Sequence, residues 1–209
     1  MKILIDFCYF FIFRLIFWIV FRFYKVEVKG AENIPSGAGC ILAINHSSFL
    51  DAPLVAWCLR PLPIHWIVSR MIYSKWKFRP FCVIARSVPV NGSTKSAEGM
   101  LRRGSVIGIF PEGGICCDRL IKKGRRGVAV LAKKTGAPVV PCRIEGTFDT
   151  SKKVVFFPKV FTPLKLTIGR PMYFEQTDSE RIPREILEST VREVIKGIND
   201  LAPGRSYQN

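Results

Sequence analysis

A chain of 209 residues, 48 % of them hydrophobic, is long enough for one sizeable core, and no low-complexity stretch divides it in two. Its 32 Lys and Arg against 16 Asp and Glu leave a formal charge of +16, which favours an anionic partner: nucleic acid, acidic lipid or a phosphorylated substrate. Seven cysteines, an odd number without metal-ligand spacing, argue against a disulfide framework and for a reducing compartment.

Residues 3 to 24 hold two apolar runs, Phe7 to Phe13 and Leu15 to Phe21, punctuated by Asp6, Arg14 and Arg22. They predict a membrane-associated helix over 1–24 ahead of a domain over 25–209. As a span it is barely long enough, and Arg14 near its middle costs about 2.5–3.5 kcal/mol on the insertion scale, so an embedded helix fits better than a secure span. A cleaved signal peptide fits worse, because the bulky Trp18 to Tyr24 stretch occupies the place of a small-residue cleavage site.

Lys25 to Lys29 alternates like a strand with one wet face, and Gly30 with the Asn33 to Gly37 cluster ends it. The apolar run Cys40 to Ile44 then delivers Asn45-His46-Ser47-Ser48-Phe49-Leu50-Asp51 as a loop. His46 has a carboxylate, Asp51, within one short turn, which is where an imidazole can be held as a general base. On one regular helix five residues would separate the two by about 140°, so they meet only if the chain bends. Ser47 and Ser48 are candidate N-caps for that bend. A satisfied loop histidine beside a helix-start carboxylate explains these two residues equally well.

Pro53 opens a helix that runs through Cys58 and stops at Arg60 to Pro63. Ile64 to Val68 reads as a buried strand, and its His65, with no nearby acid, is expected to pack or cap. Residues 69 to 86 interleave aromatics with cations, which suits a lipid headgroup interface or stacking on nucleic acid; beside an apolar N-terminal segment the interface is favoured. Val88 to Val90 is a short strand, and a helix follows from Ser93 to Arg103, with Ser93 as a possible cap.

Val106 to Phe110 is a second apolar run delivering a loop, Pro111-Glu112-Gly113-Gly114, whose glycines let backbone approach a ligand closely. The cluster Lys122-Lys123-Gly124-Arg125-Arg126-Gly127 opens a helix that Gly136 ends; its cations are either a solvated face or partners for a phosphate. Pro138 to Ile144 and Leu164 to Ile168 read as strands, the latter near the sheet edge, and Pro183 starts a helix whose Ile186, Leu187, Val191, Val194, Ile195 and Ile198 form a core stripe. Strands alternating with helices predict a single α/β domain with a mostly parallel central sheet flanked by helices and functional loops at the strands' C-terminal ends.

Together these residues resemble the glycerolipid acyltransferase superfamily, most closely the 1-acylglycerol-3-phosphate (lysophosphatidate) acyltransferases. His46 to Asp51 match the family's His-four-residues-Asp motif, Phe110 to Gly113 its Phe-Pro-Glu-Gly motif and Val139-Val140-Pro141 its late proline motif, in the right order over roughly residues 25 to 175. The resemblance implies that His46 deprotonates an acceptor hydroxyl, that Asp51 orients and charge-stabilises the imidazole, and that Glu112 and Gly113 help bind a phosphorylated lysolipid. The acyl donor it implies is acyl-CoA or acyl carrier protein, with no metal or cofactor. The charge and the residue 69–86 interleaving predict an anionic membrane surface as a further partner, with the active site on the cytoplasmic face.

Two departures stand out. Gly92 and Ile115 occupy positions where many members carry arginines that meet the acceptor's phosphate, which leaves Arg86, Lys95, Lys122 and Lys123 as candidate replacements. The alternatives are an acyltransferase for another lysolipid and a non-catalytic basic protein that docks on membrane or nucleic acid; with His46, Asp51 and Glu112 all present, nucleic acid is not expected as the partner.

Overall fold

The computed structural model describes Leu15, Ile19 and residues 21–76, 79–90, 94–116, 118, 120–147 and 161–203. Seven strands form one sheet: β1 (Val26–Lys29), β2 (Cys40–Ile44), β3 (Ile64–Ser69), β4 (Val88–Val90), β5 (Val106–Ile109), β6 (Val139–Glu145) and β7 (Leu164–Ile168). Their spatial order is β1-β7-β6-β2-β5-β3-β4. Among the described strand pairs only β6–β7 is antiparallel, so the expected mostly parallel sheet is what forms.

Central β2 is apolar throughout because both of its faces are covered. Leu42 and Ile44 meet Leu54 and Val55 of α1 (Asp51–Cys58) on one side. Ile41 and Ala43 meet α5 (Gly127–Thr135) and α6 (Arg184–Asp200) on the other. Each such leucine or isoleucine stabilises the fold by about 1.5–3 kcal/mol. The stripe on α6 buries Leu187, Val191, Val194, Ile195 and Ile198, but Ile186 faces solvent, since it lies one residue off that face. Strand β7 sits one position in from the edge; β1, with three exposed residues, is the edge itself.

Within residues 69 to 86, which show no helical core face in sequence, lie two short helices, α2 (Arg70–Ser74) and α3 (Arg79–Ile84). Ser69 caps α2 by accepting the Ile72 N–H. Helix α4 (Lys95–Arg102) begins after Thr94, and Ser93 lies outside the described residues. Most of the predicted N-terminal helix is likewise undescribed; Leu15, Ile19 and residues 21–22 are helical, and Phe21 and Tyr24 are buried in the core. No helix among the described residues is long and apolar enough to cross a membrane.

Candidate active site

Where β2 ends at Ile44, the Asn45 side chain takes over its pairing with β6. Its Nδ2 donates to the Ile144 carbonyl at 3.0 Å and its Oδ1 accepts the Ile144 N–H at 2.7 Å. The amide thus replaces a peptide in the ladder while the main chain turns out of the sheet. That turn is the bend that His46 and Asp51 require.

His46 Nδ1 lies 2.9 Å from Asp51 Oδ2. A carboxylate oxygen is an acceptor, so Nδ1 carries the hydrogen and the lone pair resides on Nε2. Asp51 is fully buried, and the same Oδ2 also accepts the N–H groups of Ser47 at 2.7 Å and Ser48 at 2.8 Å. Its Oδ1 has no partner among the described residues. The two serines therefore serve the site through their backbone, and the residue that caps α1 is Leu50, not Ser47 or Ser48. Ser48 Oγ stiffens the turn by accepting the Leu50 N–H at 3.2 Å.

The plane of the imidazole is fixed from the neighbouring loop. Phe110, just beyond β5, stacks on His46 with centroids 3.9 Å apart and planes 14° apart, and Trp66 stacks behind Phe110 at 5.1 Å. Trp66 is in register with Gly108 on β5, where a Cβ would come within 2.7 Å of the indole. Gly108 is the space in which Trp66 sits.

The Glu112 loop grips the other side of the histidine. Glu112 Oε1 accepts the His46 backbone N–H at 2.9 Å, and the His46 carbonyl accepts the Cys116 N–H at 2.8 Å. Burial pushes the Glu112 carboxyl up to about 7; the His46 N–H, the His46 charge and Cys116 oppose this, and the Asp51 charge adds to it. Gly113 adopts φ +72°. Arg125 lies against it: any Cβ on Gly113 would collide with the Arg125 guanidinium stem. The Arg125 N–H donates to the Pro111 carbonyl at 2.7 Å, and the Asn199 side chain clamps the same segment by pairing with both backbone groups of Ile121.

The cations expected from sequence have various surroundings. Arg86, with φ +51°, sits beside His65, whose half-buried ring is held below the usual histidine range by burial and by the Arg86 charge, against a hydrogen bond with the Arg86 backbone. Lys95 is the exposed first residue of α4, and Lys122 pairs with Asp118 at 3.1 Å. Lys123 is exposed on the loop that leads to Arg125. Arg125, Phe110, Trp66 and Gly108 are the site residues that sequence reasoning did not single out. Arg125 belongs to the basic cluster it did notice, and Phe110 to the motif it quoted.

Fold and site define a class: an α/β domain with a carboxylate-buttressed histidine at the C-terminal edge of a parallel sheet. The Acyltransferase family model matches residues 25–145. The 1-acyl-sn-glycerol-3-phosphate acyltransferase of Bacillus subtilis is 30 % identical over 165 residues, covering 76 % of this chain and 78 % of that one. A chloroplastic 1-acyl-sn-glycerol-3-phosphate acyltransferase of Brassica napus is 27 % identical over 154 residues, and there the chain spans only 39 % of the relative's length against 61 % of its own. The crystal structure of the 1-acyl-sn-glycerophosphate acyltransferase from Thermotoga maritima matches with a TM-score of 0.65 at 27 % identity, covering 88 % of this chain and 74 % of that one. The chain belongs to the acyltransferase family and is an O-acyltransferase.

Proposed function

We propose that this enzyme transfers a fatty acyl group from acyl-CoA or acyl carrier protein to the free hydroxyl of lysophosphatidate, giving phosphatidate. The observation that carries the reading is the 2.9 Å contact between His46 Nδ1 and Asp51, which directs the Nε2 lone pair outward as a base. The names of the Bacillus and Thermotoga relatives support the acceptor. The hydroxyl gives its proton to Nε2 as its oxygen attacks the thioester carbonyl. The tetrahedral intermediate then expels the thiolate, which takes the proton from Nε2. Asp51 stabilises the transient imidazolium by charge, and the Phe110 face adds a cation–π contribution of about 0.5–1 kcal/mol or more. A positioned base of this kind is worth roughly 10²–10⁴-fold.

For the acceptor's phosphate the reading takes Arg125 as the leading ligand, because its side chain lies against Gly113 of the Glu112–Gly113 turn; Arg86, Lys95, Lys122 and Lys123 remain candidates for the approach. Glu112 serves by holding the His46 backbone. The formal charge of +16 and the apolar residues 1–24 support association with an anionic membrane, with the site on the cytoplasmic face. The test is purified full-length protein in detergent with a labelled acyl thioester and a panel of lysolipids. Lysophosphatidate should be acylated fastest. Faster acylation of a lysolipid without a terminal phosphate would replace the acceptor, and no transfer to any acceptor would end the reading.

A further inference from the structure

The hairpin of α2 and α3 has no part in the chemistry above. Helix α2 buries none of its five residues, and Met71 is 67 % exposed and Trp76 78 % exposed, with Ile72 and, on α3, Val83 also open to solvent. Single apolar side chains are scattered over any surface, but here three large ones lie on two short helices that pack together and a fourth, Trp76, lies on the link between them. Their surroundings are charged with one sign. Between Asp51 and Glu98 the chain carries seven Lys and Arg and no Asp or Glu, and Lys75 and Arg79 are exposed on either side of Trp76 in sequence. The acids lie elsewhere, four of them on α6, which packs against α5 and β6.

The place of the hairpin follows from the sheet. Strands β3, β5 and β2 run parallel, so α2, which follows β3 directly, leaves the sheet at the edge that also carries His46 and Glu112. Tryptophan and aliphatic side chains with exposed cations beside them in sequence fit the boundary between acyl chains and anionic headgroups. Nucleic acid would use the cations and Trp76, but Met71, Ile72 and Val83 have no ring face on which a base can stack.

We propose that the α2–α3 hairpin is a membrane-docking element: Met71, Ile72, Trp76 and Val83 enter the interface of an anionic leaflet while Lys75 and Arg79 meet its phosphates. Docked this way, the active-site edge of the sheet faces the leaflet. The purpose of docking rests on the acyl-transfer reading; the docking itself does not.

The experiment measures the depth of Trp76 in the full chain carrying Trp18→Phe, bound to vesicles whose phosphatidylcholine and phosphatidylglycerol carry bromine on the acyl chains. The Trp76 emission is obtained by subtracting Trp76→Phe, or Trp76→Tyr should the first variant not fold. It should be quenched by brominated lipid in phosphatidylglycerol-containing vesicles. Each cation near such a surface is worth about fivefold in partitioning, so Lys75→Glu with Arg79→Glu should weaken hairpin docking by at least about 25-fold and remove the quenching. Unquenched Trp76, equal quenching without phosphatidylglycerol, or a Trp76 that responds to a single-stranded oligonucleotide and not to vesicles would overturn the proposal. Turnover is read separately with an acyl thioester and lysophosphatidate added, so quenching without turnover counts against acyl transfer alone, and turnover without quenching counts against docking alone.

Discussion

Replacing Asp51 with Asn keeps the shape of the site and removes its charge. Oδ2 receives three donors, from His46 Nδ1, Ser47 N and Ser48 N, so the Asn carbonyl must occupy that position; the opposite orientation would aim an NH₂ group at two backbone N–H groups. The amide NH₂ then lies where Oδ1 was, and no described residue offers it an acceptor. A buried donor without a partner costs about 1–3 kcal/mol, and three charge-assisted hydrogen bonds become neutral ones of roughly half the strength. Stability should therefore fall by about 2–4 kcal/mol by denaturant melt. The imidazolium loses its counter-charge, so kcat in the acyl-transfer assay should fall about 10²–10⁴-fold while KM for lysophosphatidate changes little. Turnover within about threefold of wild type would refute the reasoning that Asp51 acts by charge.

Arg125→Ala should raise the KM for lysophosphatidate by roughly 10- to 100-fold, the value of a charge-assisted contact, and leave the KM for the acyl thioester nearly unchanged; equal shifts in both would remove Arg125 from the phosphate. For Glu112, a carboxyl at about 7 in the fold against 4.5 in the unfolded chain means that the folded protein binds the proton more tightly, so stability is lost as pH rises from 4.5 through 7. Glu112→Gln removes that slope: discounted for partial exposure, it should be more stable than wild type by about 1–2 kcal/mol at pH 8 and equal to it near pH 4, read from melts at both pH values. Gly108→Ala forces a Cβ to within 2.7 Å of Trp66 and should lose about 1–3 kcal/mol in a denaturant melt, with kcat falling as Phe110 shifts against His46.

The parallel core was legible because a strand covered on both faces must be apolar throughout, and Cys40 to Ile44 and Val106 to Ile109 are. The His46–Asp51 contact was legible because one turn of chain limits where the two can go. Helices α2 and α3 were not, since α2 buries none of its five residues and α3 is only six residues long, too short to show a periodic stripe. The serines misled for a related reason: their backbone N–H groups do the work, and any residue type has those except proline. Trp66, Phe110 and Gly108 come together through β3–β5 register, which local sequence does not encode. That Arg125, and not Lys122 or Lys123, lies against Gly113 is a tertiary contact, held by its N–H on the Pro111 carbonyl, which the basic run itself does not encode.

Steady-state acyl transfer to lysophosphatidate by His46→Ala and His65→Ala, each checked for an unchanged melt, tests the central claim most directly. His46→Ala should lose about 10²–10⁴-fold in kcat, the contribution of a positioned base, and His65→Ala should stay near wild type. Comparable turnover by His46→Ala and wild type would contradict the account.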